Sequence, residues 1–196
     1  MKKLIVNADD FGRHELINAG IERAFTSGIC RSASIMAGGS AFDDAVKIAK
    51  SHKNLGIGVH FTLVMGNSVL PHSEIPSLVD NNGKFCDDYI IFAKRYLTGR
   101  ISINEIRREL SAQLPKIISS RLKISHVDSH QHIHVLPGIL EIIMDLADKA
   151  NIHAIRIPQI KGLNFSVGKM GLKILSLIAN IRQQERGLLF LIILRE

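Results

Sequence analysis

The sequence predicts an α/β fold in which a parallel sheet and its crossover helices close, wholly or nearly, into a β/α barrel. Three observations carry that expectation. Short apolar runs alternate with amphipathic stretches in the order βαβαβ, a long irregular segment, then αβαβα. The residues best suited to catalysis gather where the apolar runs end, which is where β/α folds place their sites. No repeat, low-complexity tract or linker interrupts the chain, so residues 1–196 read as a single domain.

Lys3 to Ala8 is a short apolar run that reads as a buried strand. His14 to Ser27 sets Ile17, Ile21, Ala24 and Phe25 on one helical face, with Gly28 at the expected C-cap. Ser32 to Ala37 is a second strand, closed by Gly38-Gly39. Ser40 is placed to cap a helix reaching about Ser51, with Phe42, Ala45, Val46 and Ile48 inward. Leu55 to Leu63 is the third strand. Val64 to Asp88 is then irregular and rich in Pro, Gly, Asn and Ser, a length that marks a functional loop. Ser102 and Glu105 form a capping-box pattern before Ile103, Ile106, Leu110, Leu114 and Ile117 at helical spacing, and Pro115 should kink or shorten that helix. Lys123 to Val127 is a fourth strand. Pro137 suits the first position of a helix ending near Ala150, Ala154 to Ile157 is a fifth strand, and a further helix is expected over about 169–181.

Composition removes several function classes. Apolar residues make up 46% of the 196, too many for a disordered or low-complexity chain. The charge of +7 comes from 25 Lys and Arg against 18 Asp and Glu, thinly spread, with no Trp and two Tyr, which argues against a nucleic-acid partner. Cys30 and Cys86 cannot build a disulfide framework. Leu4-Ile5-Val6 is too short for a signal peptide, and no run approaches the ~20 apolar residues of a membrane span. A cytoplasmic protein with no membrane partner is the expectation.

Four strand ends carry the chemistry. The first ends in Asn7-Ala8-Asp9-Asp10-Phe11-Gly12, the third holds His60, the fourth runs from His126 through Asp128 to His130-Gln131-His132-Ile133-His134, and the fifth holds Arg156. Each has an ordinary reading alone: a helix cap for the Asp pair, a hydrogen-bonded core histidine for His60, a structural ion pair for Arg156. The histidine tract is harder to set aside, because strand alternation would put three imidazoles on one face. Together they point to a metal-assisted hydrolase site.

NADDFG, GVHFTL and HVDSHQHIHVLPG, in that order over Met1 to Pro158, closely resemble the YdjC-like carbohydrate deacetylases. That family includes chitooligosaccharide deacetylases and is related in fold to NodB-type polysaccharide deacetylases. The resemblance implies a β/α barrel that binds one divalent metal and removes acetyl groups from N-acetylated oligosaccharides. It makes Asp10, His60 and His130 the metal ligands and Asp9 the general base. Arg156 resembles the arginine that orients the base in NodB-type enzymes. Asp128 is a candidate to hold an imidazole in its tautomer, and His132 or His134 to line the substrate cleft. Two imidazoles and a carboxylate suit zinc, iron, manganese or nickel, whereas the family is often described with magnesium, so magnesium and zinc both stand.

The sequence also departs from the family. Relatives run longer and carry a later Cys-His-Pro segment whose histidine serves as general acid, and no such segment occurs here. Leu188 to Glu196 has no evident place in a barrel, and Leu191-Ile192-Ile193-Leu194-Arg195 stands where relatives carry Pro-Asp-Tyr-Phe. A frameshift is the reading this suggests, giving a barrel short of its last strands, with an open sheet edge that favours a homodimer. Two alternatives accompany the deacetylase. One is an amidohydrolase or PHP-type phosphoesterase, although those place their HxH on the first strand; the other is a truncated, inactive homologue.

Overall fold

The computed structural model describes residues 4–159 and, beyond them, the backbone of 189–194. Six parallel strands form one sheet in sequential order: β1 Asn7–Phe11, β2 Ser32–Ile35, β3 Gly56–Phe61, β4 Ile124–Ser129, β5 Ala154–Gln159 and β6 Leu189–Leu194. Among the described residues five helices accompany them: α1 Glu15–Thr26, α2 Phe42–Ser51, α3 Tyr89–Leu97, α4 Ile103–Ser119 and α5 Ile139–Lys149. No helix among the described residues is long and apolar enough to cross a membrane.

Alternation along the strands sorts the side chains into two faces. Ala33, Ile35, Ile57, Val59, Phe61, Val127, Ile155 and Ile157 join the helix residues Ile21, Phe42, Ala45, Ile106, Leu110, Ile117 and Ile139 in one buried apolar cluster. Each large member contributes roughly 1.5–3 kcal/mol of transfer free energy. Ser32, Ser34, His60, His126, Asp128 and Arg156 lie between them in sequence and are buried too. One face of the sheet is therefore greasy, and the other is polar without being wet.

α4 fastens the long segment after β3. Glu105, Glu109 and Gln113 recur every four residues, which sets them on one helical face. Glu105 Oε2 accepts from the Ser77 amide at 2.7 Å, and Glu109 accepts from Val69 and Leu70 at 2.8 and 3.0 Å. Gln113 accepts from the Thr62 amide at 3.0 Å and donates to its carbonyl at 2.7 Å, just past the end of β3. Residues 64–88 are thus irregular in shape yet tied down.

Several local expectations fail for identifiable reasons. The first strand starts at Asn7, later than the apolar run suggested, so Asp9 and Asp10 lie within it. The capping box at Ser102 does not form, because Glu105 is taken by Ser77 and the Ser102 side chain makes no cap bond. Ser40 likewise caps nothing: the N-cap of α2 is Ala41, and Ser40 Oγ donates to the Arg13 carbonyl. α1 ends at a Ser27 cap in ordinary right-handed geometry, not on Gly28. Pro137 precedes the N-cap Gly138, whose φ of +82° only glycine adopts freely. α4 continues through Pro115 to Ser119. α3 has no counterpart among the expected elements. Residues 189–194, for which the sequence suggested no place, form β6 and pair with β5 along its full length. The helix expected over 169–181 lies outside the described residues.

Candidate metal centre

Asp10 owes its position to a break in the strand. Adjacent strand residues point to opposite faces, so Asp9 and Asp10 would normally diverge. Asp10 instead adopts φ +64°, and the register between β1 and β2 shifts between Ala8 and Phe11. Aspartate tolerates this left-handed geometry better than most residues. Asn18 secures the turn that follows: fully buried, it accepts from the Gly12 amide at 2.7 Å and donates to Ala41 O and Asp44 Oδ2.

Three donor atoms converge there. Asp10 Oδ1 lies 2.8 Å from His130 Nδ1 and 3.3 Å from His60 Nε2, and the two imidazole nitrogens are 3.4 Å apart. Asp10 Oδ1 is buried without a hydrogen bond of acceptable geometry, while Oδ2 takes an ion pair from Arg13 at 3.0 Å. A carboxylate oxygen and two imidazole nitrogens converging this closely fit a divalent ion, and their N/O character suits zinc or manganese better than a purely oxygen-seeking cation. Burial opposes ionisation of Asp10, yet the imidazoles of His130 and His60 close to its carboxylate hold it well below the usual range.

His60 is steered from behind. Its Nδ1 stands 2.6 Å from Asp128 Oδ1, leaving Nε2 toward Asp10 and His130. A carboxylate behind a ligating imidazole fixes both tautomer and ring orientation. Burial lowers the His60 pKa, but Asp128, Asp10 and Asp9 outweigh it and raise the value to about 9. Asp128 is fully buried and held well below the ordinary carboxylate range: burial raises its pKa, and His60 and Arg156 overcome that.

Arg156 joins this carboxylate to the next. Its Nε lies 2.8 Å from Asp128 Oδ2, and its Nη1 and Nη2 reach the two oxygens of Asp9 at 2.7 Å each. Asn7 Nδ2 adds a bond to Asp9 Oδ1 at 2.9 Å. Asp9 remains more than a third exposed, so it still faces solvent. Every residue assigned by sequence to the ligand set, the base and the base's arginine therefore lies in one contiguous network.

The histidine tract is arranged differently from the expectation. Residues His130–Val135 form a 3-10 turn, not a strand, with Gln131 and His132 at φ +54° and +56°. Alternation therefore fails, and the three imidazoles part. His130 joins Asp10 and His60. His134 is fully buried, with Nδ1 2.6 Å from Ser129 Oγ, so it does not face a cleft; burial and the charge of His132 lower its pKa to about 3. His132 packs edge-on against His134 with ring centroids 6.2 Å apart and is partly exposed.

Ser34 and His126 were missed by sequence reading. Ser34 Oγ donates to Asp128 Oδ2 at 2.7 Å, accepts from Asn7 Nδ2 at 3.0 Å, and stands 3.2 Å from His126 Nε2. Burial lowers the His126 pKa, against the opposing charge of Asp128. The available signal was alternation itself, which puts Ser32 with Ser34 and His126 with Asp128. A cavity of about 190 Å³ borders this network, lined by Ile5, Asn7, Ser32, Ser125, His126 and Arg156.

Fold and site together define a parallel α/β protein with a candidate metal centre at its strand ends, and comparison with known proteins places it further. The model of the YdjC-like protein family matches residues 3–189. Relatives named carbohydrate deacetylase include one from Brevibacillus brevis, 40% identical over 162 residues, covering 82% of this chain and 61% of the relative. Another, from Geobacillus stearothermophilus, is 40% identical over 147 residues, covering 74% of this chain and 56% of the relative. Among solved structures, an Enterococcus faecalis protein named for a suggested role in cellobiose-phosphate cleavage superposes with TM-score 0.71 at 30% identity, covering 91% of this chain and 65% of its own. The lactam utilization protein of Thermus thermophilus, with TM-score 0.51 and 17% identity, covers 97% of this chain and 66% of its own and shares the fold alone. The chain belongs to the YdjC-like family. It spans about three fifths of the length of the curated relatives it matches.

Proposed function

We propose that the chain is a metal-dependent carbohydrate deacetylase that hydrolyses the acetamide of N-acetylated sugars such as chitooligosaccharides. The observation that carries this reading is Asp9, ionically clamped by Arg156, beside the Asp10–His60–His130 cluster. The names of the relatives support the reaction class.

Asp10, His60 and His130 would hold the ion, zinc or magnesium. It would supply Lewis acidity toward the acetyl carbonyl and the attacking water, the two weak partners in amide hydrolysis. Asp9 accepts the proton that the water loses as its oxygen joins the carbonyl carbon. Arg156 and Asn7 together fill Asp9 Oδ1, while Oδ2 takes one bond from Arg156 and keeps a lone pair for the proton, so the carboxylate is aimed without being disarmed. When the C–N bond breaks, the proton gained by Asp9 is available to the leaving nitrogen. Acetate and a free amino sugar are the products.

On the same reading the sequential parallel strands are part of one β/α barrel domain, related to the NodB-type enzymes. The test is acetate release from a di-N-acetylated chitooligosaccharide with zinc or magnesium, alongside phosphate release from a phosphoester. Metal-dependent acetate release supports the proposal. Phosphate release without acetate would move the protein to the PHP-type phosphoesterases.

A further inference from the structure

We propose that His126 is a positioning residue for this centre: seated over Gly58, its ring fixes the Ser34 hydroxyl onto Asp128 and so holds Asp128 against His60. Only the consequence for metal affinity rests on the function proposed above.

The register sets the geometry. Ser34, Gly58 and His126 stand side by side across β2, β3 and β4, and His60 pairs with Asp128 one step further along. Strands in a sheet lie about 4.8 Å apart, so β2 and β4 are roughly 10 Å apart with β3 between them. His126 closes that gap by lying across the middle strand. A Cβ on Gly58 would collide with Nε2 and Cε1 of the ring and approach its Cδ2 to 2.7 Å. Glycine at position 58 is what admits the imidazole.

Proton accounting makes the contact directional. Ser34 has one proton, and its shortest acceptor is the buried Asp128 carboxylate at 2.7 Å. Its oxygen must therefore accept in its other contacts, from Asn7 Nδ2 at 3.0 Å and from His126 Nε2 at 3.2 Å. That requires the Nε2–H tautomer of His126, and the one Ser125 hydroxyl proton, which has the Ile57 carbonyl at 3.0 Å and His126 Nδ1 at 2.9 Å as its two acceptors, then turns to Nδ1. His126 itself is 4.0 Å from Asp128, too far for a direct bond, so it acts through Ser34. With both lone pairs of Ser34 filled, its proton has nowhere to go but Asp128. The Asp128 carboxylate then presents Oδ1 to His60 and Oδ2 to Ser34 and Arg156.

Nitrogen NMR of the histidines in the metal-free chain, with a zinc titration beside it, tests this. The expected spectrum shows His126 as the Nε2–H tautomer and a slowly exchanging His60 Nδ1 proton. His126→Met should lose the His60 proton signal and weaken zinc binding by roughly 10–100-fold. His126→Gln, which keeps an N–H donor toward Ser34, should restore both, a rescue that a purely space-filling role would not give. If His126→Met does not fold, Ser34→Ala carries the same two readouts. An Nδ1–H tautomer at His126 would overturn the proposal, as would a folded His126→Met variant with the His60 signal and zinc affinity intact. A wild-type chain that binds no zinc would overturn the metal-centre reading, and the two NMR readouts would still decide this one.

Discussion

Arg156 grips Asp9 by both carboxylate oxygens at 2.7 Å while its Nε rests 2.8 Å from Asp128. One buried guanidinium therefore ties the exposed acid to the carboxylate that steers His60. Asp9, the proposed proton acceptor, and His60, a candidate metal ligand, are set by a shared frame.

Replacing Asp9 separates chemistry from binding. Asp9→Asn should leave zinc stoichiometry unchanged and lower acetate release by ~10²–10⁴-fold, because an amide takes no proton at neutral pH. Arg156→Lys should fall between this variant and the wild type, since an ammonium cannot span two oxygens as the guanidinium does. Undiminished turnover in Asp9→Asn would remove it as the base.

Asp128→Asn should harm both stability and metal binding. It withdraws a fully buried charge from His60 and Arg156, and breaking a buried pair costs about 3–5 kcal/mol. Urea unfolding would show the loss, and zinc affinity should fall by roughly 10–100-fold. A near-neutral effect on both would mean that Asp128 is a bystander.

His134 sets an acid limit. Its folded pKa of about 3 lies below the ordinary 6.5, so the unfolded chain takes a proton first as pH falls. The stability it contributes is present above pH 6.5 and is lost progressively as pH falls toward 3. The slope approaches ~1.4 kcal/mol per pH unit for one proton. Unfolding of the metal-free chain between pH 6.5 and 4.5 should show this slope, and His134→Gln should flatten it. An unchanged slope in the variant would contradict the assignment.

Glu109→Gln should loosen the segment after β3. The carboxylate accepts from the Val69 and Leu70 amides and from Gln113 Nε2, and the variant turns one acceptor into a donor. The expected cost is about 1–3 kcal/mol, with faster hydrogen exchange at Val69 and Leu70. Exchange confined to its wild-type rate would show that other contacts hold the segment.

Strand ends made much of the site legible. Asp10, His60, Asp128 and Arg156 were found because they stand at the ends of apolar runs, while the polar face that alternation shares among Ser34, His126 and Asp128 went unread. Where alternation was imitated it misled. His130-Gln131-His132-Ile133-His134 has strand spacing but turns at Gln131 and His132, with no glycine to mark the turn and Ser129 Oγ accepting the His134 amide to close it. α3 escaped notice because Phe92 is its only fully buried side chain, so it shows no apolar stripe. Its visible signal was Asp88, whose side chain accepts from Ile90 and Ile91 as an N-cap. The unused capping box at Ser102 has the opposite cause, a tertiary bond from Ser77 displacing a local one.

The central claim is that Asp10, His60 and His130 bind one divalent ion. Equilibrium dialysis against zinc with elemental analysis tests it most directly. One zinc per chain is predicted for the wild type, with stoichiometric binding abolished in His60→Ala and His130→Ala and affinity lost in Asp10→Asn. Zinc retained undiminished in all three variants would contradict the account and put the site elsewhere.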